Sequence, residues 1–428
     1  MQSEEAKKKL LAADGAETLA SLYVCGMEEA REHAHRLARL VEEFETRYGA
    51  GRDIMIFSAP GRTEIGGNHT DHQGGRVLAA GIGLDAAAVA AKTDGSEIRV
   101  KSAGFREDCI EADDLAVKPG ERNTSAALLR GLCAGFAARG FSVGGFCACT
   151  ESRVLPGSGL SSSAAFEVLL GTVMNRMFCD GQVPPLAVAQ IGQFAENKYF
   201  GKPCGLMDQA ASAIGGFAML DFADAAAPRA EKIPFRFSEC GYRLCMIDTK
   251  GSHSGLTADY AAIPAEMKRA AACFGKALLS QVDEDEFYAQ IPKVRAAAGD
   301  RAVLRAMHFF AENRRVLLEA NALKSGDFRT FLGLVLESGH SSFEYLQNVY
   351  PPSRVTEQGV SVALALCDRL LSGKGGAWRV HGGGFAGTVQ AYVPNEFFAE
   401  FSREIELVFG QGSCRALTVR PAGGVQIL

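Results

Sequence analysis

Apolar residues recur along this chain at the spacings expected for both helices and strands. The clearest helical pattern is Met27–Tyr48, where apolar side chains at steps of three and four residues share one face. The same criterion predicts further helices over Ser125–Arg139, Ala164–Phe178, Leu186–Tyr199 and Glu396–Val408. Short apolar runs bounded by glycine or polar residues predict strands at Ile54–Ser58, Val77–Ala91, Ile98–Ser102, Phe146–Thr150, Phe217–Phe222, Tyr242–Asp248, Ala377–His381, Thr388–Val393 and Arg415–Arg420.

The order of these elements predicts two domains. An alanine-rich segment, Ala223–Glu231, is the best candidate boundary, so we expect an N-terminal domain over residues 1–230 and a C-terminal domain over residues 231–428. A long helical region, Leu256–Leu371, lies within the second domain. Apart from these inserted helices, the second domain has the order strand–helix–strand–strand–helix–strand, which is the split βαβ arrangement.

Composition and charge narrow the class of protein. Of the 428 residues, 47% are hydrophobic and 22% are charged, which is typical of a folded globular chain. The formal net charge is −5 and no basic cluster is present, so nucleic acid is not expected as a partner. No apolar run approaches the ~18 residues of a membrane helix, and the first twenty residues lack a secretory signal. We expect a cytoplasmic protein without a membrane partner, either a monomer or a weak oligomer.

A loop rich in glycine and serine precedes one of the predicted helices. Its sequence is VLPGSGLSSSAAF, Val154–Phe166. Gly157 and Gly159 allow a tight turn, and the free N–H groups at a helix start attract an anion, most often phosphate. The hydroxyls of Ser161–Ser163 add donors and a candidate magnesium ligand, whereas capping alone would need one serine. No GxxxxGK[ST] string is present, so a nucleotide would have to bind a loop other than a Walker A loop.

A second loop, following the first predicted strand, is dense in hydrogen-bonding side chains. It spans Gly61–Gly75 within the sequence APGRTEIGGNHTDHQGG. The polar side chains are Arg62, Glu64, Asn68, His69, Asp71 and His72. Such a set suits a polyol such as a sugar, because each hydroxyl needs a donor and an acceptor. A solvated loop and an HxxH metal site are the alternatives, although no third metal ligand follows at helical spacing.

Two further glycine-rich segments carry candidate chemistry. In Gly201–Gly216, Asp208 lies in an apolar stretch at the start of a short helix, either as a buried carboxylate or as a helix cap. In Val380–Val393, three glycines satisfy GxGxxG, but a strand follows them where a dinucleotide fold needs a helix. A close approach of the backbone to another strand or to a phosphate is the favoured interpretation of that segment.

These four motifs, in this order and spacing, resemble those of the GHMP kinases and, within them, the galactokinase family. The resemblance extends from Ile54 to Thr418. It implies an α+β fold with two lobes, an N-terminal mixed α/β domain and a C-terminal domain built on an antiparallel, ferredoxin-like sheet with inserted helices. It also implies transfer of a phosphoryl group from ATP, with Mg²⁺, to the anomeric hydroxyl of galactose.

The resemblance further implies roles for individual residues, matched by motif position. The catalytic pair would be Asp208 and Arg62. Sugar-binding residues would be Asn68, His69, Thr70, Asp71, Gly205 and Tyr260. Nucleotide-binding residues would be Ser102, Gly157, Ser158, Gly159, Leu160, Ser161, Ser162 and Ser163. Magnesium would be held by Ser163 and Glu196.

Three departures of the second loop from the family pattern GRVNLIGEHTDY bear on the sugar. Glu64 stands where asparagine is usual, Asn68 replaces a glutamate that contacts the sugar, and His72 replaces a tyrosine. These departures keep open a kinase for N-acetylgalactosamine, a pentose or a uronic acid. A sugar-sensing relative without catalytic activity is a separate alternative, although Ser161–Ala165, Asp208 and Arg62 are all present. A serine hydrolase is excluded, because the segment GSHSG has His253 where the nucleophilic serine would be required.

Overall fold

The structure is a computed structural model that describes residues 1–154, 159–224 and 226–428. The helices are α1 Ser3–Leu11, α2 Ala13–Tyr23, α3 Met27–Tyr48, α4 Ser125–Ala137, α5 Ser162–Phe178, α6 Pro185–Phe194, α7 Met207–Ile214, α8 Thr257–Ala272, α9 Glu284–Ala289, α10 Ile291–Ala298, α11 Asp300–Ser325, α12 Phe328–Ser341, α13 Gly359–Leu371 and α14 Phe398–Phe409. The strands are β1 Met55–Gly66, β2 Arg76–Lys92, β3 Glu97–Ser102, β4 Glu107–Glu111, β5 Phe146–Ser152, β6 Phe217–Asp221, β7 Arg229–Ile233, β8 Tyr242–Asp248, β9 Ala377–Val380, β10 Thr388–Pro394, β11 Cys414–Leu417 and β12 Val425–Gln426.

The chain divides into two compact units that are not continuous in sequence. The first consists of residues 1–62, 80–216 and 419–428, and the second of residues 63–79 and 217–418. This division differs from the predicted boundary at residue 230. The physical reason is that β1 and β2 each contribute residues to both units, while the C-terminal segment returns to the first unit, where β12 pairs with β1 at Phe57↔Gln426. No single cut in the sequence reproduces this arrangement.

The first unit is a sheet covered by helices. Its strands follow the order β12-β1-β2-β5-β3-β4. Strand β5 pairs antiparallel with β2 and parallel with β3. Helix α3 has the bounds that its apolar stripe predicts, and it buries Leu37 and Phe44 against Ile56 and Val89 of the sheet. The stripe therefore identifies correctly both a helix and the face that it buries.

The second unit contains an antiparallel sheet of order β11-β8-β10-β9. With α13 before β9 and α14 between β10 and β11, this is the predicted split βαβ connectivity. Helices α8–α12 and a π-helical turn, Ser342–Leu346, form the insertion between β8 and α13. Part of the insertion has a core of its own, in which Phe287, Phe309 and Leu346 are buried. Within the described ranges, no helix is both long and apolar enough to cross a bilayer.

The predicted loop Gly61–Gly75 is wrong in its first part, because β1 continues to Gly66. Two of the polar residues there, Thr63 and Glu64, are buried and have partners inside the second unit. Thr63 is fully buried, and the carboxylate of Glu64 lies 2.7 Å from the guanidinium of Arg379. Burying a charge requires such a partner, and the sequence pattern contains no sign of one that is 315 residues away. The helix predicted over Leu186–Tyr199 likewise changes to a π-helix after Phe194.

Candidate active site

The structure places Arg62 and Asp208 side by side in the first unit. Arg62 lies in β1 and Asp208 in the first turn of α7. The guanidinium donates from Nε to Oδ1 at 2.8 Å and from Nη2 to Oδ2 at 2.9 Å, which is a bidentate ion pair. Burial alone would raise the pKa of the Asp208 carboxyl, but the charge of Arg62 and hydrogen bonds from Arg62 and Ser161 lower it below its usual range. The carboxylate is therefore ionised at neutral pH.

Close backbone packing fixes this pair. Gly61 precedes Arg62, and a Cβ atom at this position would lie 2.8 Å from the carbonyl oxygen of Leu160. The absent side chain lets the Arg62 N–H donate to that same carbonyl at 3.1 Å. One turn after Asp208, the hydroxyl of Ser212 donates to the carbonyl of Pro60 at 2.6 Å. Strand β1, helix α7 and the loop before α5 are thus tied together at adjacent points.

The loop before α5 is described from Gly159 onward, and the predicted nucleotide-binding residues Gly157 and Ser158 lie outside the described residues. Gly159 accepts a hydrogen bond from Arg62 Nη1 at 2.6 Å. Ser161 caps α5, and its carbonyl accepts the first helical bond, from Ala165. The N–H groups of the first turn that follow have no partner within the helix, as at any helix start. Such N–H groups can bind an anion, so this helix start stays the candidate phosphate site that the sequence predicts.

The predicted magnesium ligands are also adjacent. Ser163 Oγ donates to Glu196 Oε1 at 3.4 Å, and Lys202 Nζ lies 3.2 Å from the same oxygen. The Glu196 side chain is 3% exposed, whereas that of Lys202 is 61% exposed. Hydroxyl and carboxylate oxygens are the ligands that Mg²⁺ prefers, so Ser163 and Glu196 fit this ion. Binding would require the exposed ammonium group of Lys202 to move away from Glu196.

Behind the predicted metal ligands lies a second buried carboxylate that sequence reasoning missed. Gln209 Nε2 donates to Glu196 Oε2 and to Glu167 Oε2, each at 2.9 Å. Burial and the neighbouring Glu196 raise the pKa of Glu167 well above its ordinary value. Glu167 and Gln209 both had a signal in the sequence, since Glu167 follows Ser163 by one helical turn and Gln209 directly follows Asp208, the predicted catalytic residue.

A cavity of about 480 Å³ opens beside Ser163 in the first unit. Two aromatic side chains, Phe105 and Phe166, line it together with the hydroxyls of Ser102 and Thr150. The two hydroxyls are bonded to each other at 2.9 Å. The predicted nucleotide-binding residue Ser102 therefore lies in the wall of a cavity in which aromatic side chains stand beside hydroxyl groups, a mixture suited to a small molecule with apolar and polar parts.

In the second unit, two of the predicted sugar-binding residues are turned inward. Asn68 is fully buried, and its side-chain amide donates to Glu64 Oε1 at 2.9 Å and to the Gly382 carbonyl at 2.6 Å. Its oxygen accepts from Asn348 Nδ2 at 2.8 Å. Thr70 is also fully buried, and its hydroxyl donates to the Gly67 carbonyl at 2.8 Å. The polar groups of both side chains thus hold the loop itself.

His69 and His72 form a chain of hydrogen bonds. Burial lowers the pKa of His69 to about 4 and that of His72 to about 3, so both rings are neutral at pH 7. One assignment of protons satisfies the contacts of both rings. His69 Nε2 donates to the Gly383 carbonyl at 3.1 Å, His72 Nε2 donates to His69 Nδ1 at 3.3 Å, and Gln73 donates to His72 Nδ1 at 3.4 Å.

Tyr260 is bonded to the same glycine segment. Its hydroxyl donates to the Gly384 carbonyl at 2.8 Å and lies 2.6 Å from His253 Nδ1. Burial raises the pKa of Tyr260 to about 12, so the hydroxyl keeps its proton. The ring also requires a glycine next to it, because a Cβ on Gly383 would lie 2.7 Å from Tyr260 Cε1.

The remaining predicted sugar-binding residues lie at the surface or in turns. Asp71 is half-buried and begins the turn Asp71–Gln73 in the second unit. Gly205 is exposed in the first unit, three residues before Asp208. Sequence reasoning missed Asn348, which is fully buried and donates to both Asn68 and Gly383, at 2.8 and 3.3 Å. Nothing in its local sequence, which lies in the inserted region, marks it as part of this network.

Family models and individual relatives both indicate the same family for this chain. A family model described as the galactokinase galactose-binding signature matches residues 42–92, and one described as the GHMP kinases N terminal domain matches residues 126–216. A galactokinase of Streptomyces coelicolor is 31% identical over 379 residues, which are 88% of this chain and 93% of the relative. One of Glaesserella parasuis is 33% identical over 361 residues, which are 83% of this chain and 88% of the relative.

Solved structures match the fold. Lactococcus lactis galactokinase complexed with galactose gives a TM-score of 0.76 at 23% identity, covering 91% of this chain and 100% of that chain. Methanococcus jannaschii mevalonate kinase gives a TM-score of 0.60 at 14% identity, covering 86% of this chain and 98% of that chain. The α+β fold predicted from the sequence is confirmed.

Proposed function

Because the chain belongs to the galactokinase family, we propose that it transfers the terminal phosphoryl group of ATP to the anomeric hydroxyl of galactose. The products are galactose 1-phosphate and ADP. The observation that carries the proposal is the bidentate pair of Arg62 and Asp208, bonded to the loop before α5. It places an ionised carboxylate beside a helix start that is suited to phosphate groups.

Phosphoryl transfer to an alcohol depends mainly on positioning and on stabilisation of charge. The N–H groups in the first turn of α5 supply fixed dipoles for the phosphate oxygens. The hydroxyls of Ser162 and Ser163 stand in that same turn and add donors. Backbone groups held by a helix need no rearrangement when the phosphate arrives, so their contribution to the transition state is prepared in advance.

Asp208 takes the proton of the sugar hydroxyl as that oxygen attacks phosphorus. General-base catalysis of this kind contributes roughly 10²–10⁴-fold. Arg62 has two tasks, since it holds the carboxylate ionised and in one orientation and also faces the developing negative charge. The lowered pKa of Asp208 guarantees the ionised form at pH 7 but makes the carboxylate a weak base, so its orientation matters as much as its basicity.

The proposed metal site consists of Ser163 and Glu196. Mg²⁺, when bound, offsets the charge of the phosphate oxygens. Glu196 Oε1 faces both the serine hydroxyl and the ammonium of Lys202, so metal binding requires Lys202 to leave this carboxylate. Gln209 donates to the other oxygen of Glu196 and would hold it in place when the metal binds.

The cavity beside Ser163 suits the base and ribose of ATP. We infer that the rings of Phe105 and Phe166 border the adenine, since aromatic side chains favour contact with a flat heteroaromatic group. Ser102 and Thr150 offer hydroxyls for its polar edge.

His69, Asp71, Tyr260 and Gly205 remain the proposed sugar-binding residues. Asn68 is a special case, because its amide groups are already bonded to neighbouring residues. We therefore infer that its effect on the sugar is indirect.

A related sugar is the second candidate substrate. The observation that favours it is that position 68 carries an uncharged amide, whereas the glutamate of this segment stands at position 64, in β1, where Arg379 neutralises it. A loop without that negative charge repels an acidic sugar less strongly.

A substrate panel tests the proposal. ATP and Mg²⁺ are mixed with galactose, N-acetylgalactosamine, arabinose or galacturonate, and ADP release is measured. The expected result is the highest kcat/KM for galactose. A clear preference for another sugar would identify that sugar, and not galactose, as the substrate. The absence of ADP release with every sugar would favour a binding protein without catalytic activity.

A further inference from the structure

Ser161 is bonded to the proposed catalytic carboxylate. Its hydroxyl donates a hydrogen bond to Asp208 Oδ2. Arg62 donates hydrogen bonds to both carboxylate oxygens of Asp208, and it also donates to the carbonyls of Gly159 and Leu160. The three consecutive residues before α5 are therefore each bonded to the catalytic pair through a different atom.

The backbone of Ser161 shows that this contact is held in place. The residue has φ of 60° and ψ of 64°, in the left-handed region that residues with a side chain rarely adopt. Its carbonyl accepts the first helical bond of α5 from Ala165 at 3.1 Å, while its hydroxyl is bonded to Asp208. The helix and the carboxylate thus fix the residue from both sides.

The two oxygens of Asp208 have different surroundings. Oδ2 accepts from Arg62 Nη2 and from Ser161, which fills the two lone-pair directions of a carboxylate oxygen. Among the residues that the structure describes, Oδ1 accepts only from Arg62 Nε. One lone pair of Oδ1 is thus left for a further donor.

We propose that Ser161 is a positioning residue for Asp208, and that Oδ1 is the atom that takes the proton from the sugar. The proposal rests on the proposed phosphoryl transfer. In that step the O–H bond of the anomeric hydroxyl breaks and its proton moves to Oδ1 as the new oxygen–phosphorus bond forms. The bond between the γ-phosphorus and the bridging oxygen breaks, and its electron pair leaves with ADP. By occupying Oδ2, Ser161 fixes the plane of the carboxylate so that Oδ1 keeps its direction.

This role differs from the one implied by motif position, in which Ser161 binds a phosphate of ATP as Ser162 and Ser163 do. The two roles predict different kinetics. A phosphate ligand affects the KM for ATP, whereas a residue that orients the base affects kcat and its pH dependence.

The test compares Ser161→Ala and Ser161→Gly with Ser162→Ala. Both Ser161 variants are expected to lower kcat about tenfold, with the KM for ATP within about twofold of the wild-type value. The acid limb of the kcat/KM profile is expected to move to higher pH, because the hydroxyl that lowers the pKa of Asp208 is missing. Ser162→Ala is expected to raise the KM for ATP and to leave the acid limb where it is.

The variant Ser161→Gly separates the effect of losing the hydroxyl from the effect of the strained backbone at this position. Glycine adopts a positive φ easily, so Ser161→Gly removes the hydroxyl and relaxes the backbone, and it remains usable if Ser161→Ala fails to fold. A further control is Ser161→Ala in an Asp208→Asn background, where little additional loss in kcat is expected because the partner has already been altered.

Three outcomes would overturn the proposal. The first is a tenfold higher KM for ATP in the Ser161 variants with no change in the acid limb of the kcat/KM profile. The second is an unchanged kcat in Ser161→Gly. The third is full additivity of the losses in kcat caused by Ser161→Ala and Asp208→Asn. Failure of the proposed function is distinguishable, since it would appear as a wild-type enzyme that does not turn over galactose. In that case the Asp208 carboxyl is titrated by ¹³C NMR in wild type and Ser161→Gly, and an identical pKa in the two would contradict the proposed contact.

Discussion

Lys202 Nζ lies 3.2 Å from Glu196 Oε1, the same carboxylate oxygen that accepts a hydrogen bond from Ser163. Lysine and the proposed metal ion therefore compete for one oxygen. The lysine side chain is largely exposed and the glutamate is buried, so it is the lysine that can move. Metal binding would therefore displace the lysine and leave the carboxylate in place.

Removing this competitor is expected to strengthen metal binding. Lys202→Met leaves Glu196 without its cation, and we expect affinity for Mn²⁺, measured by electron paramagnetic resonance without nucleotide, to rise about three- to tenfold. Lys198→Met is the matched control, because this exposed lysine lies in the same segment and contacts the ring of Phe194 rather than Glu196. Equal Mn²⁺ affinity in Lys202→Met and the control would contradict the competition.

The buried pair of Glu64 and Arg379 is expected to matter for stability. Their side chains are 5% and 0% exposed, so Glu64→Gln leaves a buried cation without its anion. The expected loss in the free energy of unfolding is about 3–5 kcal/mol, measured by urea denaturation. Glu239→Gln is the control, since it removes a charge from an ion pair with Arg236 in which both side chains are exposed, and should cost less than about 1 kcal/mol.

The exchange of Glu64 and Asn68 relative to the family pattern gives a second test of the same network. Asn68→Glu alone puts a carboxylate where the amide nitrogen lies 2.9 Å from Glu64 Oε1, and should destabilise the fold by repulsion. The double variant Glu64→Asn, Asn68→Glu keeps the total charge and should regain part of that loss. A double variant no more stable than Asn68→Glu would show that the two positions are not coupled.

Asn348 is expected to affect sugar binding without touching the nucleotide. Asn348→Ala removes the donor to both Asn68 and Gly383, which releases the loop bearing His69. We expect the KM for galactose to rise about tenfold, with the KM for ATP nearly unchanged. Glu344→Ala, at an exposed position four residues earlier, is the control. A change in the KM for ATP of the same size would point to general loosening of the fold.

His33 predicts a pH dependence of stability. It is 2% exposed and stacks on Tyr23 at 3.7 Å, and burial followed by the charges of Arg36 and Arg153 lowers its pKa to about 4. Because the pKa in the unfolded chain is about 6.5, the fold favours the neutral ring. This contribution is complete above about pH 6.5 and is lost as the pH falls toward about 4, with a total of about 2–3 kcal/mol.

Replacing this histidine should therefore flatten the acid side of the stability profile. The free energy of unfolding of His33→Gln is compared with that of the wild type from pH 7 to pH 4. His35→Gln, on the exposed side of α3, is the matched control. A wild-type slope in His33→Gln over this range would contradict the assignment.

The parts of the fold that the sequence predicted are those governed by periodicity. Helix α3 has its predicted bounds, because a long apolar stripe defines both its length and its face. Helices α1 and α2 were missed, because each buries only three side chains and its apolar stripe is correspondingly weak. The continuation of β1 through Thr63 and Glu64 was missed for another reason. Polar residues suggest a loop unless their buried partners are known, and Arg379 is far away in sequence.

The candidate site was likewise predicted only in part from the sequence. Motif order indicated that Arg62 and Asp208 belong together, although 146 residues separate them. It did not indicate that Ser161 bonds to Asp208, nor that Gln209 bridges Glu167 and Glu196, since these contacts depend on how α5, α6 and α7 pack.

The most direct test of the central claim is the rate of galactose 1-phosphate formation by Asp208→Asn, measured by ³¹P NMR with ATP, Mg²⁺ and galactose. The wild type should produce galactose 1-phosphate and ADP in equal amounts. The variant, with its fold verified by circular dichroism and its binding of ADP retained, should turn over at least about 10²-fold more slowly. Turnover by Asp208→Asn at the wild-type rate would contradict the account.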